Sequence, residues 1–452
     1  MPETTTETWL ERHRQALMNY VPLIVFWALS RATMYWLWSA RCQYIINDVL
    51  YYHYSLSGPD AQTLTEYPTP ILWLLRAFDF LASGNNLVFQ GLLIGFVALL
   101  DAGGVLLLAR LVSLRAGWYW CAYLALVGPL IWFRLDLIPA FFVMLTLVCA
   151  TTGRDVGAGV ALALAAASKF WPAILIGALL GVGKRFNKRL LGFAITGGVI
   201  GGVSLLFNGW DRSLSPLTWQ SERGLQIESV LATRPMYLHA VPDQGYKVIY
   251  SQFNAFEVVG PDVEMWLRGA DVAFVVAILV SIWLSAALFA RRWQARAWLN
   301  SPVAQTADSV PNNDDTDATG TTSRVSWHYS DFAESCVMLA IIALLIVGNK
   351  TYSPQYMMWL AGPAAMLVGK ASDIFEWVTA AILGASCLVA ALLTTLVYPF
   401  HYLGLIFSDQ GTMEDAVRLV ARNLLMLLIA LTAAVLAGWS AWRVGNAARE
   451  DD

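Results

Sequence analysis

Ten apolar runs recur along this chain, and they restrict its fold more than any other feature. A helix of about 20 apolar residues crosses the hydrocarbon core of a bilayer. The runs are of that order or shorter, and they predict an all-α, polytopic transmembrane helix bundle that forms a single domain over residues 1–450. The runs are Tyr20–Trp38, Leu87–Ala109, Trp118–Phe133, Leu137–Thr151, Leu190–Phe207, Val272–Ala290, Ala333–Val347, Tyr356–Val368, Trp377–Val397 and Val420–Trp442.

The shortage of charged residues supports the same fold class. Only 13% of the residues are Asp, Glu, Lys or Arg, whereas a soluble domain carries about 25%. A chain with so few charges suits contact with membrane lipids. The net charge of −3, with no basic domain, points to no nucleic-acid partner. The five cysteines form no close pair and show no metal-ligand spacing.

Basic residues predict the orientation, because loops rich in Lys and Arg stay in the cytoplasm. Segment 155–183 has basic residues at both ends and is broken at Lys169-Phe170-Trp171-Pro172, so we interpret it as a hairpin of two half-length helices. Both termini are then cytoplasmic, with about ten crossings of the cytoplasmic membrane plus the hairpin. The residues that mark the inner side are Arg12, Arg14, Arg110, Arg115, Arg154, Lys184, Arg185, Lys188, Arg189, Arg291, Arg292, Arg296 and Arg443.

Three segments on the predicted outer side are long, namely 39–86, 208–266 and 398–419. Within the first, residues 68–82 are apolar but too short to span, which indicates a helix lying in the membrane interface. On the inner side, residues 303–326 are mostly polar, and we expect a disordered cytoplasmic loop there.

The first outer segment contains two candidate acids. Asp48 stands alone before the aromatic residues Tyr51 and Tyr52. Partial desolvation near the membrane raises the basicity of a carboxylate, which suits a general base. A helix cap or a solvated loop acid is the structural alternative. Glu66 precedes a proline-rich turn, and a plain turn residue is the alternative for it.

Charges at the predicted membrane boundary form a second group of candidates. Arg134 and Asp136 either pair with each other or place a guanidinium where a phosphate arrives. Lys169 stands at the break in the hairpin, and a charge at the bilayer centre costs about 2.5–3.5 kcal/mol. It either extends its ammonium to the interface or holds an anion at the end of a half-helix.

Polar residues also gather in two later outer segments. Arg223 and Glu228 lie in the large outer loop, where a simple pair on a soluble helix is the alternative. Pro354 breaks the chain between two apolar runs, and polar side chains at such a break usually line a site or a pathway. The residues gathered at this break are Lys350, Ser353, Gln355 and Tyr356.

The position of these residues indicates the kind of ligand. Arg31 and Asp101 lie inside apolar runs, and we interpret them as partners that hold helices together. The remaining candidates fall on the outer side under one orientation. One carboxylate with several cations on a shared face indicates a site for a phosphate-bearing substrate.

Six segments resemble the GT-C class of integral-membrane glycosyltransferases, and more narrowly the family of the mycobacterial polyprenol-phosphate-mannose-dependent mannosyltransferase PimE. The most specific are Arg223-Gly224-Leu225-Gln226-Ile227-Glu228-Ser229 and Lys350 through Tyr356 with Trp359. The others, in the expected order, are Asp48 with its Tyr-rich run, Glu66-Tyr67-Pro68, Arg134-Leu135-Asp136 with Pro139, and Lys169-Phe170-Trp171-Pro172. The resemblance covers residues 20–370. It departs at Tyr-Pro-Thr-Pro, where a Tyr-Pro-Pro run is commoner.

The resemblance implies a helix bundle with long outer loops and transfer of a sugar, usually mannose, from a polyprenyl-phosphate donor. The acceptor hydroxyl belongs to a lipid-linked or glycan acceptor at the outer face. Asp48 matches the acid that serves as base, and inversion gives an α-linkage. Fixed cations for the donor phosphate are then Lys169, Arg223 and Lys350, with Arg134 in reserve. The residues expected to orient the substrates are Tyr51, Tyr52, Glu66, Asp136, Glu228, Ser353, Gln355 and Tyr356, with Glu228 also holding Arg223.

Other functions stay open at this point. A polyprenyl-phosphate-arabinose-dependent arabinofuranosyltransferase fits the same residues. A lipid or solute transporter also has broken helices and buried charges, but the sequence shows no internal repeat. A scaffold without activity leaves the costly Lys169 unexplained. No two carboxylates stand at convincing ligand spacing, so we expect no metal and no other cofactor.

Overall fold

The computed structural model describes residues 18–59, 62–299, 318–407 and 413–446 of the chain. Within these ranges the fold is helical, as the sequence predicts. The helices are α1 (Val21–Arg41), α2 (Asn47–Ser55), α3 (Thr69–Ala82), α4 (Asn86–Leu111), α5 (Leu114–Val127), α6 (Leu137–Thr151), α7 (Asp155–Ser168), α8 (Ile176–Leu179), α9 (Lys184–Ser221), α10 (Thr233–His239), α11 (Val263–Leu299), α12 (Ala318–Gly348), α13 (Ala361–Lys370), α14 (Ile374–Thr395), α15 (Tyr402–Ile406) and α16 (Met413–Asn446).

Short irregular turns join these helices. The 3-10 turns are Gln43–Ile46, Gly128–Trp132, Trp171–Leu175, Val230–Ala232 and Pro354–Leu360, and a π turn covers Leu396–Phe400. The segment 208–266, predicted to be an outer loop, also contains one antiparallel hairpin of β1 (Lys247–Tyr250) and β2 (Phe256–Val259). The sequence did not predict this hairpin, so the all-α description needs that correction.

Six of the described helices are long and apolar enough to cross a membrane, and they are α4, α9, α11, α12, α14 and α16. The chain therefore has the architecture of a helical membrane protein. Two shorter apolar helices, α6 and α7, lie among them. The total of about ten crossings stays a prediction, because helix length and composition alone do not establish it.

Helix α12 forms the centre of the bundle. Every residue from Cys336 to Ala343 is buried, and the helix packs against α11 and α16. Helix α9 has the opposite character, since Leu206 and Phe207 near its middle are 84% and 77% exposed. Exposed apolar side chains on a helix of this length suit contact with lipid.

The predicted hairpin at 155–183 is present, with its break at Lys169. Helix α7 ends at Ser168, and the chain returns through a 3-10 turn and the four-residue helix α8. The two ends of the segment meet, because Arg185 Nε lies 3.0 Å from Asp155 Oδ1. The returning limb is thus mostly irregular and is no half-length helix.

The predictions for residues 68–82 and 303–326 had different outcomes. The apolar stretch 68–82 forms helix α3, as expected from its composition. Most of the segment predicted to be disordered, 303–326, lies outside the described residues. Its last part, from Ala318, begins helix α12, and this differs from the prediction.

A buried ion network marks one end of the bundle. Glu334 accepts hydrogen bonds from Arg189 at 2.8 Å and from Arg292 at 2.6 Å, and all three side chains are almost fully buried. Asp155 accepts from Arg185 and Arg189 beside it. Helices α7 and α12 run away from this network, so Lys169 and Lys350, which follow them, lie toward the other end of the bundle. Helix α9 also starts beside the network, but it is kinked at Gly209.

Arg31 and Asp101 are partners, as the sequence predicts. Two bonds of 2.8 and 2.7 Å join the guanidinium to the carboxylate, which is 0% exposed. The indole groups of Trp27 and Trp120 donate to the same carboxylate at 2.9 and 3.3 Å. The pair thereby connects α1, α4 and α5, and its structural role is confirmed.

Candidate active site

Asp48 and Arg134 form an ion pair where two connecting segments meet. Asp48 lies in the first turn of α2, and Arg134 follows the turn between α5 and α6. The Asp48 side chain is 41% exposed, whereas that of Arg134 is 8% exposed. The acid is therefore neither a helix cap nor a solvated loop residue, because it is held by a buried cation and still accessible.

Three other groups hold the Arg134 guanidinium. Its Nε donates to Gln355 Oε1 at 3.2 Å, and its Nη2 donates to the Tyr398 hydroxyl at 3.2 Å. Its Nη1 also donates to the backbone carbonyl of Phe133 at 3.3 Å. Ser353 in turn donates to Gln355 Oε1 at 2.5 Å. The break around Pro354 thus positions Arg134.

Asp136 pairs with Lys169 and not with Arg134. Lys169 Nζ lies 2.6 Å from Asp136 Oδ1, and the Trp359 indole donates to the same oxygen at 2.8 Å. Asp136 is 1% exposed, and its Oδ2 has no hydrogen-bond partner among the described residues. Of the two alternatives for Arg134 and Asp136, mutual pairing is therefore the one that the structure contradicts, since each of them binds a residue from a distant segment.

An aromatic stack supports the Lys169 ammonium. Trp359 stacks on Trp171 at 4.5 Å and on Tyr356 at 4.0 Å between ring centroids. Lys169 Nζ lies 4.9 Å from the Tyr356 centroid and 5.1 Å from that of Trp359, a cation–π distance. Lys169 is therefore fixed beside Asp136 and the aromatic stack.

A neighbouring group contains Glu66, Tyr51 and Arg223. The Tyr51 hydroxyl donates to Glu66 Oε1 at 2.8 Å. Desolvation raises the pKa of Glu66 above its ordinary value, while Tyr51 and Arg223 act in the opposite direction. Arg223 donates to the backbone carbonyl of Phe253 at 3.3 Å. Tyr52 is buried and bonds the Tyr67 hydroxyl at 3.1 Å, which gives it a packing role.

Glu228 does not hold Arg223, so that prediction is wrong. Its Oε2 lies 3.5 Å from Arg422 Nη1, and both side chains are 0% exposed. The Arg422 guanidinium also lies 3.9 Å from the Tyr352 ring centroid. Burial raises the pKa of Glu228 to about 7, although the guanidinium groups of Arg422 and Arg134 lower it.

Lys350 lies apart from the Asp48 group in its contacts. Its Nζ donates to the Ser221 carbonyl at 2.7 Å and lies 3.9 Å from Asp271 Oδ1. Its backbone carbonyl accepts from Gln226 at 3.1 Å. The backbone contact joins the segment 223–229 to the segment 350–356. Among the described residues, the contacts of the ammonium do not include Arg134 or Lys169.

The environment of Asp48 suits proton transfer. Desolvation by the surrounding protein raises its pKa above the ordinary value, Arg134 opposes that rise, and Asp136 adds to it. A partly exposed carboxylate with raised pKa accepts a proton from a bound hydroxyl. The site thus consists of two crossed pairs, the accessible Asp48 carboxylate with Arg134 and the buried Asp136 carboxylate with Lys169.

An apolar cavity of about 250 Å³ lies between α3, α7 and α9. Its walls contain many small side chains, including Ala163, Ala166 and Gly201. Two further lining residues, Pro68 and Phe170, are the chain neighbours of Tyr67 and Lys169. The cavity thus lies one residue along the chain from Tyr67 and from Lys169.

The sequence analysis missed two residues of the site. Tyr398 accepts a hydrogen bond from Arg134, and Arg422 pairs with Glu228. Arg422 carried a usable signal, because it is a charge inside the apolar run Val420–Trp442. Tyr398 carried none, since a tyrosine at the end of an apolar run is common in membrane proteins.

No protein-family model, no curated protein and no solved structure matches this chain.

Proposed function

We propose that this protein is an inverting glycosyltransferase that moves mannose from polyprenyl-phosphate mannose to a hydroxyl of a lipid-linked or glycan acceptor. The reaction takes place at the outer face of the cytoplasmic membrane and gives an α-linkage. The observation that carries this proposal is the accessible Asp48 carboxylate on the fixed cation Arg134, with a second fixed cation, Lys169, held by the neighbouring Asp136. The resemblance of these segments to the GT-C family supplies the sugar and the donor class.

The reaction is a single displacement at the anomeric carbon. Asp48 takes the proton of the acceptor hydroxyl while the oxygen of that hydroxyl bonds to the anomeric carbon. The bond from the carbon to the phosphate oxygen breaks, and its electron pair leaves with polyprenyl phosphate. A phosphate leaving group is a weak base, so the second carboxylic acid of the glycosidases is not required. Arg134 and Lys169 stabilise the charge that develops on it.

The apolar cavity supports a lipid-linked donor. An isoprenoid chain gains about 0.8 kcal/mol for each buried methylene group, and the wall of Ala163, Ala166 and Gly201 leaves room for it. Phe170 lines this cavity and directly follows Lys169. A chain bound there has its phosphate end near the cations.

The decisive experiment measures transfer from radiolabelled polyprenyl-phosphate mannose to lipid acceptors by the purified protein. Asp48→Asn is expected to lower the rate about 100-fold or more, the effect of losing a general base. Asp373→Asn is the matched control, because Asp373 directly precedes α14 and pairs with Arg443, away from the site. Near wild-type transfer by Asp48→Asn contradicts the base assignment.

The same assay separates the alternative functions. Transfer from polyprenyl-phosphate arabinose, with none from the mannose donor, assigns the arabinofuranosyl activity instead. A transporter forms no glycosidic product with either donor, and it moves the labelled lipid between the leaflets of a vesicle.

A further inference from the structure

We propose that the donor phosphate replaces Asp48 as the anionic partner of Arg134, so that donor binding itself releases the carboxylate that serves as base. Tyr398 and Gln355 are then positioning residues, which keep the guanidinium in place during the exchange. This inference rests on the proposed function.

The first argument is that Arg134 does not need Asp48 to keep its orientation. Gln355 binds Nε and Tyr398 binds Nη2, and the Phe133 carbonyl binds Nη1. These partners come from three different segments of the chain. When Asp48 leaves, the guanidinium therefore stays where it is and presents the Nη1 edge to another anion, in the geometry that phosphate oxygens accept.

The second argument is that Asp48 is the more accessible member of the ion pair. Its side chain is 41% exposed, and that of Arg134 is 8% exposed. It also sits in the first turn of the nine-residue helix α2. Asp48 is thus the member of the pair that a ligand can displace, since Arg134 is buried and held by its other partners.

The third argument concerns the charges around Asp48. Desolvation raises the pKa of Asp48, Arg134 is the cation that lowers it, and Asp136 adds to the rise. Tyr52, Tyr250 and Tyr398 also face the carboxylate. The charge of Asp136 is already offset by Lys169 at 2.6 Å. Phosphate that takes over Arg134 removes the stabilising cation and adds a negative charge, so the basicity of Asp48 increases when the donor is present.

Proton uptake on binding tests this exchange. The probe is farnesyl methyl phosphate, a phosphodiester with one charge that does not titrate near neutral pH. Its binding to the purified full-length protein is measured calorimetrically in buffers of different ionisation enthalpy, from about pH 4 to pH 8. A rise of one unit in the pKa of Asp48 gives a maximum uptake of about half a proton.

Two variants make the result specific. Asp48→Asn is expected to abolish the uptake and to bind the probe about tenfold more tightly, because the competing carboxylate is gone and the linkage is reciprocal. Tyr398→Phe is expected to weaken probe binding while the uptake per bound probe persists. Asp373→Asn, the control away from the site, is expected to behave as wild type.

Each outcome decides between the two proposals. Tight binding by the wild type with no uptake at any pH overturns the exchange and leaves the glycosyltransferase intact. Uptake that persists in Asp48→Asn, or weaker binding by that variant, also overturns the exchange. Failure of the wild type to bind the phosphodiester contradicts the proposed donor site itself.

Discussion

Removing one member of the Arg31–Asp101 pair is expected to destabilise the protein strongly. The carboxylate is 0% exposed and accepts two bonds from the guanidinium. Breaking a buried ion pair by deleting one partner costs about 3–5 kcal/mol, because the other charge is left buried and uncompensated.

The two single substitutions differ in what they leave behind. Arg31→Met leaves the carboxylate with the indole donors of Trp27 and Trp120, so we expect a loss near the lower limit, about 3 kcal/mol. Asp101→Leu leaves the guanidinium with the Cys121 carbonyl and the Ser30 hydroxyl, so we expect about 4–5 kcal/mol.

The double substitution provides the decisive comparison. A pair of apolar side chains needs no compensation, and replacing a buried ion pair by apolar residues is often neutral. Arg31→Met with Asp101→Leu is therefore expected to be more stable than either single variant. Tryptophan fluorescence during denaturant unfolding in mixed micelles measures the free energies. Single variants within about 1 kcal/mol of wild type, or single losses that simply add in the double variant, would refute the reasoning.

The remaining predictions concern the site. Lys169→Gln keeps a hydrogen-bond donor for Asp136 and is expected to raise the KM for the sugar donor about tenfold. Lys350→Gln is expected to change that KM less than about twofold. Equal effects of the two variants in steady-state assays would remove Lys169 from the phosphate site. The pKa of Glu228 is about 7 in the folded protein against an ordinary 4.5. The folded state therefore binds this proton more tightly, and this group makes the free energy of unfolding fall as the pH rises from about 4.5 to about 7. Glu228→Gln is expected to flatten that slope in denaturant titrations at several pH values, and an unchanged slope would contradict it. Transfer is expected to survive excess EDTA, because side-chain cations hold the phosphate; activity lost and then restored by Mg²⁺ or Mn²⁺ would show a metal requirement.

Local features of the fold were predictable from the sequence. Helix α6 covers the apolar run Leu137–Thr151, and the chain breaks at Lys169, where Pro172 follows. Both depend on residues that are close together in the chain. The pairing of Arg31 with Asp101 was predictable for another reason, since two opposite charges inside apolar runs need each other.

The pairing within the site was not predictable in the same way. Four charged residues, Asp48, Arg134, Asp136 and Lys169, allow more than one set of pairs, and the packing of distant segments selects the crossed one. Glu228 finds its partner in Arg422, which is contributed by the last helix. The β-hairpin was missed because each strand has only four residues, too few for an alternating pattern to show.

Helix α7 sets the distance between the buried ion network and Lys169. Its 14 residues begin at Asp155 in the buried ion network and end just before Lys169, and at 1.5 Å per residue they measure about 21 Å. One alanine inserted into α7 lengthens the helix by about 1.5 Å and rotates its end by about 100°. The Lys169 ammonium then points away from Asp136. The length of α7 therefore fixes where Lys169 lies relative to the ion network, and the site depends on this length as well as on its charged residues.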